Sequence, residues 1–255
     1  MSVTVQIKDT IDVQYRQSMG EGDAVFAHAA WVSSMGEELP EEYKAPEKVE
    51  GLIKYLMKNR HGTPFEHAAL TARVHAPIFV WREWHRHRIG WSYNEESARY
   101  KKLAPVFYVP PKGRPMFKVD NWKPGRPKFL TYDQFGGGTC ADVVEAESRY
   151  HKLGDNLIES YKLAYQKYEE NLELGIDPGL ARDCLPVGIY SACWVTCNPR
   201  SLMNFLSLRT QSERANHPSY PLYEIEQGAR GMEALFQKYW PVTHAAFCEF
   251  GREAP

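Results

Sequence analysis

Apolar and polar side chains alternate along three stretches of this chain. Such alternation predicts strands, because successive side chains of a strand point to opposite faces. The clearest case is 187–197, where the odd-numbered positions are Val187, Ile189, Ser191, Cys193, Val195 and Cys197. A short apolar run at 106–109 adds a further strand. The predicted strands are therefore 3–7, 70–76, 106–109 and 187–197.

Apolar residues recur at helical spacing through most of the remaining chain, which predicts amphipathic helices. Two helix starts are marked by proline: Pro77 precedes one, and Asn198-Pro199 caps and opens another. Glycine at 154 predicts an interruption of the longest helix. The predicted helices are 23–33, 49–59, 78–88, 142–175, 178–182, 199–210, 222–239 and 241–250.

The segments between these elements are predicted to be loops. Gly90 is predicted to end the helix before it and to open a loop that carries residues 92–100, and 212–221 is polar with two prolines. Residues 101–138 contain six prolines and a glycine triplet, which predicts a loop-rich insertion at about 110–138. We therefore predict an α/β fold of the α+β type, with a mixed, antiparallel-rich central sheet flanked by long helices, in a single domain over 1–255.

Composition narrows the class of protein. The chain has 255 residues, of which 43% are hydrophobic, enough to build a sizeable core. Its net charge of -1 gives no overall attraction to nucleic acid or membranes, so neither is expected as a partner. No signal peptide or membrane-length apolar run is seen. Five cysteines without a CxxC pair predict small buried side chains in a reducing cytoplasm.

Basic groups concentrate in one stretch, 84–100. It holds Arg86, His87, Arg88 and Arg99, together with two glutamates and several hydroxyl groups. Arginine forks bind phosphate and planar carbonyl groups through paired hydrogen bonds, and they stay charged at any working pH. The stretch therefore favours an anionic, hydrogen-bonding ligand such as a nucleotide. The alternative is a solvated helix end followed by a loop.

Three blocks of this sequence resemble the flavin-dependent thymidylate synthase family. The first is Arg86-His87-Arg88, followed after eight residues by Ser97 and then by Arg99-Tyr100. The second is the run from His61 to His67, and the third is the run from Asn198 to Arg209. Their order and distances match the family, which is far more specific than one short motif.

The resemblance implies a reaction, the reductive methylation of dUMP to dTMP. Methylenetetrahydrofolate is the expected carbon donor, and FAD reduced by NADPH is the expected hydride source. The family uses no cysteine nucleophile on the uracil ring. It also implies a homotetramer whose active sites are shared between subunits. No metal is expected.

The resemblance further implies residue roles. Arg209 matches the family arginine that faces the uracil ring and stabilises its negative charge, and is the expected catalytic residue. The expected dUMP-binding residues are Glu83, Arg86, Glu95, Ser97, Ala98, Arg99, Arg182 and Arg209. The expected FAD-binding residues are His61, Thr63, Glu66, Arg86, His87, Arg88, Glu95, Asn198, Arg200 and Asn204.

Structural alternatives remain for several of these residues. Arg209 is also a common type of residue at a helix C-terminus, and Arg182 of a helix surface. Asn198 could act as a helix cap alone, and Thr63-Pro64 could be a simple turn. Glu83 stands where the family commonly has glutamine, and His217 is only a candidate for a family histidine.

Two rival functions compete with the resemblance. Trp81, Trp84, Trp91 and Tyr93 interleave with arginines, as in a stacking surface for nucleic acid, but the near-zero net charge weighs against it. Numerous histidines would fit a metal hydrolase, yet none shows a HExxH or Cys/His zinc spacing.

Overall fold

Helices and short strands alternate along the chain in the computed structural model, which describes residues 3–36, 40–118 and 129–255. The backbone divides into two units. Unit 1 comprises 1–10, 77–79 and 97–191, and unit 2 comprises 11–76, 80–96 and 192–255. Among the described residues, no helix combines the length and apolar character that crossing a bilayer demands.

The strands are short. They are β1 Gln6–Lys8, β2 Asp12–Met19, β3 Ala69–Pro77, β4 Trp91–Glu95, β5 Val106–Tyr108, β6 Phe117–Lys118, β7 Phe129–Leu130 and β8 Tyr190–Cys197.

The helices provide most of the ordered backbone. They are α1 Ala24–Met35, α2 Pro46–Lys58, α3 Ile78–Trp84, α4 Tyr132–Gly136, α5 Cys140–Glu173, α6 Pro178–Ala181, α7 Pro199–Arg209, α8 Tyr223–Tyr239 and α9 Pro241–Glu249. Short 3-10 turns occur at Glu41–Lys44, Thr63–Glu66 and Arg182–Cys184.

Unit 2 is built on a four-stranded sheet with the order β2-β3-β8-β4. Strand β2 pairs with β3 and β4 pairs with β8, both antiparallel. Leu70, Ala72, Val74 and Ala76 of β3 are fully buried, as the alternation predicts. The prediction of an α+β fold with an antiparallel-rich sheet is therefore confirmed.

Unit 1 is built on the long helix α5 and the parallel pair β1–β5. The side chains of Tyr161, Tyr165 and Tyr168 share one face of α5, because they are spaced by four and three residues. Tyr161 donates a hydrogen bond to the Tyr108 carbonyl at 2.8 Å, and Tyr165 donates one to the Leu103 carbonyl at 2.6 Å. These bonds fix the segment around β5 against the helix.

The structure corrects several predicted boundaries. The helix predicted to reach Arg88 ends at Trp84, so the triplet 86–88 lies beyond it. Residues 91–95, predicted as loop, form strand β4. Strand β2 was not predicted, and α5 runs through Gly154 without interruption.

Two further predictions meet the structure only in part. Cys193 and Cys197 are buried as predicted, but the same prediction is wrong for Cys140 and Cys184, which are exposed. In the predicted insertion, residues 119–128 lie outside the described residues, and the rest holds β6, β7 and α4. The single-domain boundaries stay a prediction.

Candidate active site

Arg209, the last residue of α7, reaches two side chains of the segment that follows β3. Its Nε donates a hydrogen bond to His87 Nε2 at 3.0 Å, and its NH1 donates one to Glu83 Oε2 at 2.8 Å. The Arg209 and Glu83 side chains are 20% and 35% exposed, so this group is partly open to solvent. The sequence positions 83, 87 and 209 therefore meet in space, and a cation lies at the surface of unit 2.

His87 is held neutral in this arrangement. Burial, and after it the charge of Arg209, lower the pKa of His87 to about 4. An Arg N–H donates to Nε2, so Nε2 must be unprotonated. The neutral imidazole orients the guanidinium without neutralising it, and Arg209 keeps its positive charge.

Strand β4 fixes the backbone around His87. The Tyr93 hydroxyl donates a hydrogen bond to the His87 carbonyl at 2.6 Å and approaches the Trp84 carbonyl at 3.3 Å. Burial raises the pKa of Tyr93 well above its usual range, so its hydroxyl stays a donor. Tyr93 was not predicted as a site residue; its position in an apolar–polar alternation from Trp91 was the available signal.

An aromatic floor underlies the Arg209–His87–Glu83 group. Phe205 lies one turn before Arg209 on the same face of α7. Its ring centroid lies 4.9 Å from that of His87, 4.7 Å from that of Trp84 and 5.2 Å from that of Trp91. Buried aromatic packing of this kind restricts side-chain rotamers, so the polar group above it is preorganised.

The start of α7 is fixed by a cap and a close contact. The Asn198 side chain accepts a hydrogen bond from the Ser201 N–H at 2.8 Å, which establishes the helix-cap geometry. Gly90, with φ of 68°, lies against this cap. A Cβ added to Gly90 would be 2.1 Å from Ser201 Oγ, so only glycine fits.

Several residues predicted to bind FAD lie around the Thr63–Glu66 turn. His61 and Thr63 line a cavity of about 300 Å³, together with residues of α1. Glu66 accepts a hydrogen bond from Arg200 NH1 at 2.6 Å, and Arg200 Nε donates to the Pro255 carbonyl at 2.7 Å. The structure therefore brings Glu66 and Arg200 together across 134 positions of sequence.

Other residues predicted for dUMP lie in unit 1. The Ser97 hydroxyl accepts a hydrogen bond from the Arg99 N–H at 3.3 Å. Arg182 Nε donates to the Gly179 carbonyl at 3.3 Å, and a Cβ placed on Gly179 would lie 3.6 Å from Arg99 Cγ. Arg99 and Arg182, both exposed and far apart in sequence, thus both lie next to Gly179 of α6. Ala98 is 3% exposed, which leaves its backbone as the part available to a ligand.

The remaining predicted residues have simpler placements. Arg86, Arg88 and Asn204 are exposed, and Glu95 is half-buried at the end of β4. The candidate His217 is 88% exposed and lies 3.2 Å from Glu253. These placements do not test ligand contacts, so the binding roles stay predictions.

Comparison with known sequences finds likeness over most of the chain. A family model described as thymidylate synthase complementing protein matches residues 16–242. A protein of Streptomyces coelicolor named flavin-dependent thymidylate synthase is 46% identical over 254 residues, covering 98% of this chain and 96% of its own length. A protein of the same name from Tropheryma whipplei is 42% identical over 240 residues, covering 94% and 92%.

Comparison with solved structures agrees. Crystal structures of the UMP/dUMP methylase PolB from Streptomyces cacaoi, bound with 5-Br UMP and with 5-Br dUMP, are similar to this chain. Their TM-scores are 0.83 and 0.80, at 38% and 39% identity. The alignments cover 98% of this chain and 99% and 100% of those chains.

Proposed function

Because this chain belongs to the flavin-dependent thymidylate synthase family, we propose that it converts dUMP to dTMP by reductive methylation. The carbon donor is methylenetetrahydrofolate, and NADPH is the reductant. The observation that carries the proposal is the likeness over nearly the whole chain to relatives of that name. The cation at Arg209, oriented by His87 and Glu83, supports it independently.

Arg209 provides the electrostatic part of the reaction. Its guanidinium stabilises negative charge on the uracil ring while C5 acts as a nucleophile. A fixed donor of this kind contributes about 3–4 kcal/mol in other enzymes. The hydrogen bond to neutral His87 holds the Arg209 fork in one orientation, so little reorganisation is needed when charge develops. Glu83 is placed to hold Arg209 until a ligand replaces it.

The residues around Thr63 and Arg200 fit a flavin nucleotide. The cavity at His61 and Thr63 offers a concave wall. Arg200, whose side chain is 43% exposed, donates a hydrogen bond to Glu66 of the Thr63–Glu66 turn. The guanidinium of Arg200 is suited to a diphosphate. FAD, when bound, supplies the hydride, and the protein supplies its position. The triplet Arg86-His87-Arg88 is assigned to the same cofactor by the family pattern.

Arg99 and Arg182 are assigned to the phosphate end of dUMP. Both are exposed, both lie at Gly179, and Ser97 shapes the backbone just before Arg99. Two guanidinium groups near one turn are suited to a dianionic phosphate. The enzyme acts as a cytoplasmic homotetramer with active sites shared between subunits.

The reaction is tested by dUMP-dependent oxidation of NADPH, with the folate present and omitted. We expect dTMP only when dUMP, FAD, NADPH and methylenetetrahydrofolate are all present. UMP serves as an additional arm, because the solved relative is named a UMP/dUMP methylase. A visible flavin spectrum that bleaches with NADPH is also expected. A colourless protein that makes no dTMP with added FAD would overturn the proposal.

Sharing of sites between subunits is tested by complementation. Arg182→Ala and Arg209→Ala variants are expected to be inactive alone. Co-expressed and mixed in one tetramer, they would restore about a quarter of the sites if each site takes these two residues from different subunits. A mixture as inactive as either variant, in tetramers verified by mass, would argue against sharing.

A further inference from the structure

A second cluster of charged and nucleophilic side chains lies away from Arg209, where α8, α9 and the turn after α9 meet. Its members are Glu233 of α8, His244 and Cys248 of α9, and Arg252. Glu233 and Arg252 are buried, with 8% and 4% of their surface exposed. The function proposed above does not use this cluster, although all its residues belong to unit 2.

The Cys248 sulfur lies between two cationic groups. His244 Nε2 is 3.7 Å from Cys248 Sγ, one helical turn away on the same face of α9. Arg252 NH1 donates to Cys248 Sγ at 3.3 Å and to Glu233 Oε1 at 2.6 Å. Glu233 also accepts from His244 at 3.1 Å and from Arg230 at 2.9 Å. One carboxylate thus faces three cationic groups, so a thiolate on Cys248 would offset part of the remaining positive charge.

The balance of burial and charge at Cys248 agrees with this geometry. Burial alone raises the pKa of the Cys248 thiol, but the hydrogen bond and charge of His244, followed by the charge of Arg252, outweigh it and lower the pKa. The hydrogen bond with Cys248, and then that with Glu233, raise the pKa of His244 to about 9. A protonated His244 beside Cys248 therefore favours the thiolate form of the sulfur, the condition that activates cysteine.

The backbone of Arg252 shows that this placement is imposed. Arg252 has φ of 55° and follows Gly251 with φ of 81°, a reversal that returns its side chain over α9. A non-glycine residue in the left-handed region is strained, because its Cβ crowds the following carbonyl oxygen. Arg252 Nε is also buried without a hydrogen-bond partner among the described residues. The positive φ and the unpartnered Nε are both unfavourable, yet the fold holds the guanidinium against Cys248 and Glu233.

The cluster is open to small molecules on one side. Cys248 and His244 line an open cavity of about 700 Å³ with Arg214, Asn216, Gln237 and Glu249. Glu233, His244 and Cys248 carry donor atoms within 4.8 Å of one another, as metal ligands would. However, the Arg252 guanidinium contacts both the carboxylate and the sulfur, and it already supplies the positive charge that a metal ion would bring.

We propose that Cys248 is an oxidation site that reacts with small hydroperoxides. The sulfur attacks the hydroxyl oxygen of ROOH, the S–O bond forms, and the O–O bond breaks. The sulfur loses two electrons and becomes the sulfenic acid, and the hydroperoxide gains them and releases RO⁻. His244 gives its proton to RO⁻, which leaves as alcohol, or as water when R is hydrogen. The cavity admits the reactant and Arg252 holds the sulfur as the anion.

The proposal is tested on the full-length protein with hydrogen peroxide at pH 7, and it does not rest on the proposed reaction. Dimedone traps sulfenic acid, and peptide mass spectrometry reads each cysteine separately. Cys140 and Cys184 are exposed and serve as references within the same molecules. We expect Cys248 to be labelled at least about tenfold faster than either reference, since only it lies between two cations.

Two variants complete the test. His244→Gln keeps a hydrogen-bonding side chain but removes the imidazolium, so labelling of Cys248 is expected to slow by about tenfold or more. Cys140→Ser is the matched control and is expected to leave labelling of Cys248 unchanged. The secondary structure of each variant is checked by circular dichroism. Equal labelling of Cys248 and the exposed cysteines in the wild-type protein would overturn the proposal, as would unchanged labelling in folded His244→Gln.

Discussion

At the scale of single residues, the central feature is the arginine at the end of α7. Arg209 reaches His87 across 122 positions of sequence and Glu83 across 126. A helix C-terminus favours a cation, so the position of Arg209 also stabilises α7. A helix end explains only the positive charge of Arg209. Its two hydrogen bonds also fix the direction in which the guanidinium points.

Replacing Arg209 separates cofactor binding from turnover. If Arg209 is the donor to the uracil ring that we propose, Arg209→Ala is expected to retain FAD and to lower kcat by roughly 10²–10³. Arg209→Lys should restore little, since an ammonium group lacks the planar fork. Steady-state dTMP formation and the flavin absorbance measure both effects. Arg149→Ala, on the exposed face of α5, is the control; turnover of Arg209→Ala equal to that of this control would remove Arg209 from the mechanism.

His87 gives unfolding a pH dependence. Its folded pKa of about 4 lies below its ordinary value of 6.5, so the unfolded chain binds the proton more strongly. The stability from neutral His87 is complete above about pH 6.5 and is lost as pH falls towards 4, by up to about 3 kcal/mol. We expect the difference in unfolding free energy between the wild type and His87→Gln to shrink over this range.

Denaturant titrations at several pH values measure that difference. The Gln amide can still accept a hydrogen bond from Arg209, so packing changes are limited. Asn156→Ala, at an exposed position with no titratable group, is the control and should differ from the wild type by a constant amount. A difference for His87→Gln that is equally constant would mean that His87 is not held neutral by the fold.

At the scale of elements, helices and strands with a regular apolar face were predicted well. Segments in which charged and apolar residues are intermixed were not. Strands β3 and β8 and helices α7, α8 and α9 were predicted because each buries one regular face. Strand β2 was missed because none of its residues is buried and most are polar, with an irregular register between Tyr15 and Gln17. In β4, Trp91 and Tyr93 alternate with Ser92 and Asn94, but the surrounding charges favoured a loop.

The site was predictable only where the family pattern supplied it. Periodicity cannot bring Glu66 to Arg200 or His87 to Arg209, because these contacts depend on how elements pack. The hydroxyl of Tyr93 and the closeness of Gly90 to Ser201 depend on packing as well. The FAD and dUMP contacts of the predicted residues stay predictions.

Two glycine substitutions are expected to have opposite effects. Gly90→Ala places a Cβ 2.1 Å from Ser201 Oγ at positive φ, so we expect a loss of about 1–3 kcal/mol in unfolding free energy. Gly154→Ala is the same substitution, but it lies within α5, where the added Cβ would have no neighbouring atom within 4 Å. It should stabilise by roughly 0.5–1 kcal/mol. Denaturant midpoints decide; destabilisation by both would show that α5 is not continuous at this position.

At the scale of the whole molecule, each unit has its own interior. Unit 1 buries Phe107, Tyr161 and Tyr168, and unit 2 buries Phe26, Phe205 and Trp240, with many neighbours. Both units lie largely within the part of the chain that matches the family. The likeness to relatives at 46% and 42% identity therefore concerns the entire framework rather than one local motif.

Ligands should accordingly stabilise the folded protein as a whole. At a hundredfold excess over its Kd, each of FAD and dUMP is expected to add about 2.7 kcal/mol to the unfolding free energy. In Arg209→Ala the gain from FAD should remain and the gain from dUMP should fall. Thermal unfolding with each ligand alone measures this. An undiminished dUMP effect in that variant would place the nucleotide elsewhere.

The aromatic floor beneath Arg209 has a spectroscopic consequence. Trp84 and Trp91 pack on Phe205, and the Trp81 ring is tilted against that of Trp84 with centroids 5.5 Å apart. Three of the seven indoles in the chain are thus secluded from water in one place. Their ultraviolet emission overlaps the absorption of an isoalloxazine ring. Binding of a flavin nearby would therefore quench the intrinsic tryptophan fluorescence of the protein, with no added label.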